Sequence, residues 1–140
     1  MDILEFLLND EQIFTTITLA VLIALLIGNI VSDKLKKYQD IDPAEATALM
    51  DDKNLIILDV REEKERKSGF IAGDIHIPLS QVKNQLATLD KNKKILTYCA
   101  SGSRSGHIAG LLTRNEFSQV FSLKGGIKAW KKANLPIKTK

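Results

Sequence analysis

Residues 94–110 read KILTYCASGSRSGHIAG, and this stretch indicates both the fold and the place of the chemistry. Its first five residues, which end at Tyr98, are largely apolar and predict a buried strand. Small residues follow, and Gly102 among them can adopt a positive φ without steric cost. Residues 105–114 then place apolar side chains, Ile108 and Leu112 among them, on one helical face. The stretch therefore predicts a strand, a tight loop and a helix, in that order.

The segments on either side continue this alternation. The run LIIL at residues 55–58 predicts a strand buried on both faces. A second short strand is expected near Ile75, and residues 120–123 predict a third central strand. The turn at residues 125–126 leads into a last helix around Trp130. Strands that alternate with helices are joined by right-handed crossovers, so we expect an α/β domain with a mainly parallel central sheet.

Capping residues set the remaining helix boundaries. Asp42 and Pro43 begin a helix that runs to about Met50, because Asp accepts hydrogen bonds from the first turn and Pro suits its first position. Ser80 is expected to cap another helix, which runs to about Leu89.

The loop after Tyr98 contains the only cysteine of the chain, Cys99. A loop between a strand and a helix directs its backbone N–H groups and the positive helix end toward one point. Both features stabilise an anionic sulfur and lower the pKa of a thiol, and Arg104 adds a positive charge. We therefore interpret Cys99 as a thiolate nucleophile. The competing interpretation is a buried, inert cysteine.

Three blocks, in a fixed order, carry a family resemblance. They are LDVR at residues 58–61 with GFIAGDIHIP at 69–78, then YCASGSRS at 98–105, then LKGG at 123–126 with Trp130. From residue 39 to residue 136 the chain resembles a single rhodanese-homology domain, which implies a rhodanese-like three-layer fold. The domain is preceded by one uncharged, apolar span at residues 12–32, and this arrangement is similar to that of the membrane-anchored rhodanese-like proteins of bacteria.

The resemblance implies sulfur transfer without a cofactor. Cys99 would attack a small sulfur-donor anion such as thiosulfate, hold the sulfur as a persulfide, and pass it to a thiol or protein acceptor. Asp59 and Arg61 match the family motif, as either a structural ion pair or direct participants. The residues that the resemblance places around the sulfur are Ala100, Ser101, Gly102, Ser103, Arg104 and Ser105.

Some positions depart from the family pattern, and other functions stay open. Family loops often carry a basic residue where this chain has Ala100, which weakens the expectation for a dianionic donor. Phe70 replaces a frequent His, and Asp74 replaces a frequent Ala.

The alternatives to a sulfurtransferase are a membrane-tethered sulfur carrier or protein-binding module with little turnover, and a cysteine phosphatase or arsenate reductase. Phosphatase loops are spaced C-x5-R, whereas Cys99 and Arg104 are spaced C-x4-R.

The N-terminal part of the 140-residue chain differs from the rest in composition. Residues 12–32 contain no charged side chain, and 14 of the 19 residues at 13–31 are apolar. As a helix, 21 residues span about 31 Å, which matches the ~30 Å hydrocarbon core of a bilayer. A buried core helix and a cleaved signal peptide are the competing interpretations, but the preceding segment has no Lys or Arg. We expect a transmembrane helix over residues 12–32.

Charge predicts the orientation of this helix. The chain from Asp33 onward contains all 20 Lys and Arg residues and 13 acids, so that part carries a net charge of +7. Positive segments stay in the cytoplasm, so we expect an acidic tail outside (residues 1–11) and a basic linker (33–38) and domain (39–140) inside. In a bacterium this makes the chain a single-pass protein of the inner membrane.

Composition also bears on partners and metals. Aromatic residues make up only 6% and the lysines are scattered, which argues against nucleic-acid binding. One cysteine and two histidines make a metal site a poor expectation. Small residues recur every four positions in the apolar span, as in helices that pack closely in lipid. A homodimer through Ala20, Ala24 and Gly28 is one interpretation of this stripe, and chance is the other.

Overall fold

The computed structural model describes residues 2–7, 9 and 12–140, which fall into two units, Met1–Lys36 and Lys37–Lys140. Helix α1 (Ile3–Leu7) and helix α2 (Ile13–Leu35) form the first unit. The expected acidic tail lies in part outside the described residues, at Met1, Leu8, Asp10 and Glu11.

Helix α2 is long and apolar enough to cross a membrane. Its 23 residues span about 35 Å as an α-helix. None of its described residues is buried within the structure. The helix continues three residues into the segment expected to be a linker, and the N–H of Lys36 closes its last turn on the carbonyl of Asp33.

The second unit is built on a five-stranded sheet in the order β1-β5-β4-β2-β3, with every neighbouring pair parallel. The α/β prediction with a parallel sheet is thus confirmed. The strands are β1 (Gln39–Ile41), β2 (Leu55–Asp59), β3 (Ile75–His76), β4 (Lys94–Tyr98) and β5 (Val120–Leu123). The helices are α3 (Pro43–Leu49), α4 (Glu63–Arg66), α5 (Leu79–Val82), a 3₁₀ helix (Lys83–Thr88), α6 (Ser103–Arg114) and α7 (Gly126–Lys132).

Helices cover both faces of the sheet because the central strand β4 is apolar on both sides. Ile95 belongs to the core cluster that contains Ile108 and Leu112 of α6. Leu96, the next residue, belongs to the opposite cluster with Trp130 of α7. Successive side chains of a strand point to opposite faces, so one continuous apolar run fills two cores.

Two local expectations need correction. Ser80 does not cap a helix: α5 begins at Leu79, after Pro78, and no side chain caps its first turn. The N–H of Leu79 instead bonds to the carbonyl of Val60, and the helix begins two residues earlier than a cap at Ser80 would place it. The chain from Lys83 then tightens into a 3₁₀ helix. Strand β1 was not foreseen, since its sequence QDI is short and mostly polar.

Candidate active site

Cys99 lies at the carboxyl end of β4, where the parallel sheet places several strand ends together. Tyr98 is in register with Asp59 at the end of β2. The segment after Asp59 and the loop after Tyr98 therefore lie at the same edge. Ligands of open α/β sheets bind at this edge.

The loop closes around the sulfur of Cys99 through its own backbone. Gly102 has φ of +101° and occupies the N-cap position of α6. This conformation directs the N–H of Gly102 to the Sγ of Cys99, at 3.1 Å. The Oγ of Ser105 lies 3.5 Å from the same Sγ. Cys99 is only 1% exposed, so little of its sulfur faces solvent.

These contacts shift the pKa of Cys99. Burial alone would raise the pKa of the thiol, because a thiolate is poorly solvated inside a protein. Hydrogen bonds from the Ser105 hydroxyl and from the N–H groups of Ser105, Gly102 and Ser101 outweigh burial and lower the pKa below its ordinary value. The loop thus stabilises a thiolate with neutral dipoles.

The third sequence block, whose LKGG run ends at Gly126, and the first turn of α7 after it support the active loop (residues 99–105) from behind. The N–H of Ile127 bonds to the carbonyl of Cys99 at 2.9 Å, and the N–H of Lys128 bonds to that of Ala100 at 3.2 Å. A Cβ at Gly126 would lie 2.5 Å from the Cys99 carbonyl oxygen, which is closer than real Cβ contacts. Glycine is therefore needed at position 126 so that the first turn of α7 can hold the loop.

Ser105 is itself held by a residue on the neighbouring strand. Its Oγ lies 3.1 Å from the Oγ of Ser122, and both side chains are buried. The carbonyl of Gly102 lies 3.2 Å from the Ser105 hydroxyl and competes for its proton. When Ser122 donates to Ser105, the proton of Ser105 is available to the sulfur.

Arg104 points to a carboxylate on α4. Its Nη1 and Nη2 donate to Glu65 Oε2 and Oε1 at 2.8 and 2.7 Å. This two-pronged ion pair raises the pKa of Arg104, to which the nearby Cys99 charge also contributes. The predicted cation is therefore close to Cys99, but a carboxylate compensates its charge.

Asp59 and Arg61 form a buried ion pair. The Arg61 side chain donates to both carboxylate oxygens of Asp59, at 2.8–3.2 Å, and to the carbonyls of Glu65 and Gly69. Burial would raise the pKa of Asp59, yet the hydrogen bonds from Arg61 and Arg66 lower it. These contacts brace the chain on both sides of α4, as expected of a structural ion pair.

The unusual residues Phe70 and Asp74 belong to one group around Arg66. Arg66 donates to Asp74 at 2.7 and 3.1 Å and to Asp59 at 2.7 Å. Its guanidinium lies 4.3 Å from the centre of the Phe70 ring. Asp74 also accepts a hydrogen bond from Tyr98, whose pKa is raised by burial and by this bond. The two departures from the family pattern are thus explained by a buried arginine.

Sequence reasoning missed three residues of this site. Glu65 holds Arg104, Ser122 contacts Ser105, and Gly126 supports the loop backbone. The sequence places Gly126 in a turn and in the third block of the resemblance, but indicates no role for it at the site. For Glu65 and Ser122 the sequence carries no signal, because 39 and 17 positions separate them from their partners.

Comparison with known proteins identifies the same family that the three sequence blocks resemble. The rhodanese-like domain family matches residues 42–133. A thiosulfate sulfurtransferase, GlpE, from Coxiella burnetii is 32% identical over 67% of this chain and 88% of its own. An uncharacterized protein, YibN, from Escherichia coli is 31% identical over 97% of this chain and 96% of its own, a span that includes helix α2. A crystal structure of a rhodanese-related protein from Thermoplasma volcanium matches with a TM-score of 0.68 and 30% identity, over 74% of this chain and 100% of that chain.

Proposed function

This chain belongs to the rhodanese-like domain family, and on that premise we propose that it is a membrane-anchored sulfurtransferase. Cys99 takes sulfane sulfur from a small anionic donor, such as thiosulfate or a thiol persulfide, and carries it as a persulfide to a thiophilic acceptor. The observation that carries this proposal is the approach of the Gly102 N–H and the Ser105 hydroxyl to the Cys99 sulfur, at 3.1 and 3.5 Å.

The reaction has two displacement steps at sulfur. The Cys99 thiolate attacks the outer sulfur of the donor, a new S–S bond forms, and the donor's own bond to that sulfur breaks. The leaving group, sulfite in the case of thiosulfate, departs with the electron pair. An acceptor thiolate or cyanide then attacks the outer sulfur of Cys99–S–S⁻, and the Cys99 thiolate is regenerated. Both steps need a stabilised sulfur anion, which the loop N–H groups provide.

A sulfur carrier with little turnover is the second candidate. The 1% exposure of Cys99 favours it, since free solutes reach a buried sulfur slowly. Phosphatase or arsenate reductase chemistry has less support. The Arg104 guanidinium, which would bind a tetrahedral oxyanion, is engaged by Glu65 on both of its terminal nitrogens.

Steady-state transfer to cyanide separates these functions. The full chain in detergent is incubated with excess donor and cyanide, and thiocyanate is followed over time beside Cys99→Ser. A sulfurtransferase produces many equivalents of thiocyanate, and the variant produces none. A carrier takes up one sulfur atom from the donor, gives little thiocyanate, and turns over only when its own acceptor is supplied. Rapid release of phosphate from an aryl phosphate, with no thiocyanate, would contradict the proposal.

We also propose that α2 spans the bacterial inner membrane, with the rhodanese-like unit in the cytoplasm. The support is the length and apolarity of Ile13–Leu35 and the restriction of Lys and Arg to the chain after residue 33. The test introduces Asp2→Cys or Thr139→Cys into a Cys99→Ser chain and treats intact cells with a membrane-impermeant maleimide. Labelling at position 2 alone is the expected result, and labelling at position 139 alone would reverse the orientation.

A further inference from the structure

Glu65 determines the net charge beside the active loop. Its carboxylate binds Arg104 through two hydrogen bonds of 2.7 and 2.8 Å, and both side chains are partly buried. The hydrogen bonds from Arg104 lower the pKa of Glu65 to about 2, so the pair stays ionised throughout the physiological range. The positive charge of Arg104 is therefore always accompanied by a negative one.

The two other arginines of this region are compensated in the same way. Arg61 and Arg66 are matched by Asp59 and Asp74. At position 100, where related loops often carry a basic residue, this chain has an alanine. The stabilisation of Cys99 by its own loop comes from neutral N–H and O–H dipoles, and these suit a single negative charge.

The total charge gathered during sulfur loading depends on the donor. The thiolate and thiosulfate together bring three negative charges, whereas the thiolate and an ionised persulfide bring two. Repulsion grows with the product of the charges and is weakly screened in a partly buried site. A site whose arginines are compensated therefore disfavours the dianion more than the monoanion.

We propose that Glu65 is a specificity-determining residue, which neutralises Arg104 and so directs the site toward low-charge thiol persulfides and away from thiosulfate. This inference rests on the proposed sulfurtransferase function and names its donor class. In the loading step, the Cys99 thiolate attacks the outer sulfur of R–S–S⁻, a new S–S bond forms to that sulfur, and the S–S bond that joined it to the inner sulfur of the donor breaks. The released thiolate RS⁻ takes a proton from water, leaving Cys99–S–S⁻.

The test is single-turnover loading of the full chain in detergent, followed by intact mass. The donors are thiosulfate and the persulfide of 2-mercaptoethanol, and the main variant is Glu65→Gln. A glutamine keeps the hydrogen bond that Glu65 accepts from the N–H of Glu62, so α4 retains its capping box. The matched control is Glu63→Gln on the same helix, whose carboxylate pairs with Lys140 and His76.

The inference predicts opposite sensitivities for the two donors. The wild type loads from the persulfide at least about ten times faster than from thiosulfate. Glu65→Gln increases the second-order rate with thiosulfate about tenfold and changes the rate with persulfide less than about threefold. Glu63→Gln changes neither rate. Ala100→Lys, which adds a charge without breaking the ion pair, also increases the thiosulfate rate.

Two results would overturn the inference, and a third is distinct from them. Equal wild-type rates with both donors, or a thiosulfate rate that Glu65→Gln and Ala100→Lys leave unchanged or lower, would show that the ion pair does not select the donor. Failure of both donors to load wild-type Cys99 would refute the sulfurtransferase proposal itself, and the inference with it.

Discussion

Two neighbouring parts of this molecule stabilise negative charge in different ways. The buried ion-pair cluster, which consists of Asp59, Arg61, Arg66 and Asp74, sets full charges against full charges. The active loop, residues 99–105, stabilises the Cys99 thiolate with N–H and O–H dipoles. In the cluster, a charge left without its partner would be buried and poorly solvated, which lowers the free energy of unfolding. In the loop, dipoles stabilise the anion without forming an ion pair with it, so we expect the sulfur to remain a nucleophile.

Removal of one charge from the cluster tests its structural role, and we expect the largest effect there. Asp59→Asn leaves Arg61 without a carboxylate partner and Arg66 with Asp74 alone, and breaking a buried pair costs about 3–5 kcal/mol in the free energy of unfolding. The measurement is a urea titration followed by the fluorescence of Trp130, which is the only tryptophan and is buried in the domain. The control is Asp52→Asn, whose partly exposed pair with Lys94 is screened by solvent, so we expect a much smaller loss of stability. Equal losses for the two variants would contradict this contrast.

A methyl group at Gly126 tests the support behind the loop. Gly126→Ala places a Cβ against the Cys99 carbonyl and strains a φ of +60°, so we expect about 1–3 kcal/mol of destabilisation. The displaced loop also lowers the rate at which Cys99 reacts with iodoacetamide at neutral pH. Gly73→Ala is the matched control, since its φ is +80° but no heavy atom lies within 4 Å of the added Cβ. That variant loses some stability and keeps the reactivity of Cys99; a change of reactivity in both variants would refute the specific role of Gly126.

Removal of hydroxyl groups tests the dipoles themselves. Only the thiolate is alkylated, so the rate rises with pH and levels off above the pKa of Cys99. Ser105→Ala removes a donor to the thiolate, raises the pKa of Cys99 and moves this curve to higher pH. Ser122→Ala removes the partner of Ser105 and has a smaller effect in the same direction. Ser118→Ala, an exposed control, leaves the curve in place. An unchanged curve for Ser105→Ala would show that backbone N–H groups alone set the pKa.

Much of the fold could be predicted because local signals were strong. The apolar runs at β2, β4 and β5 and the cap at Asp42 gave elements that the structure confirms. Strand β1 could not be predicted, since three residues with a single buried side chain carry no periodicity. Ser80 suggested a cap, but a contact with Val60 started the helix earlier, and only the tertiary structure contains that contact.

The candidate site could likewise be predicted where its residues are neighbours in sequence, and could not where they are distant. The position of Cys99 and the role of Gly102 followed from a loop that is contiguous in sequence. The partner of Arg104 did not follow, because the fold brings α4 next to the loop from a distant part of the chain. The sequence therefore indicated a positive charge, whereas the structure contains an ion pair. Phe70 and Asp74 looked like isolated departures until Arg66 was seen between them.

The central claim is that Cys99 forms a persulfide, and intact mass tests it most directly. The full chain is incubated with excess sulfane-sulfur donor, and its intact mass is measured. The mass is measured again after treatment with cyanide, and Cys99→Ser is taken through the same steps. We predict a gain of one sulfur atom on the wild type alone, which cyanide removes. No gain in mass from thiosulfate or from a thiol persulfide, while Cys99 still reacts with a thiol reagent, would contradict the account.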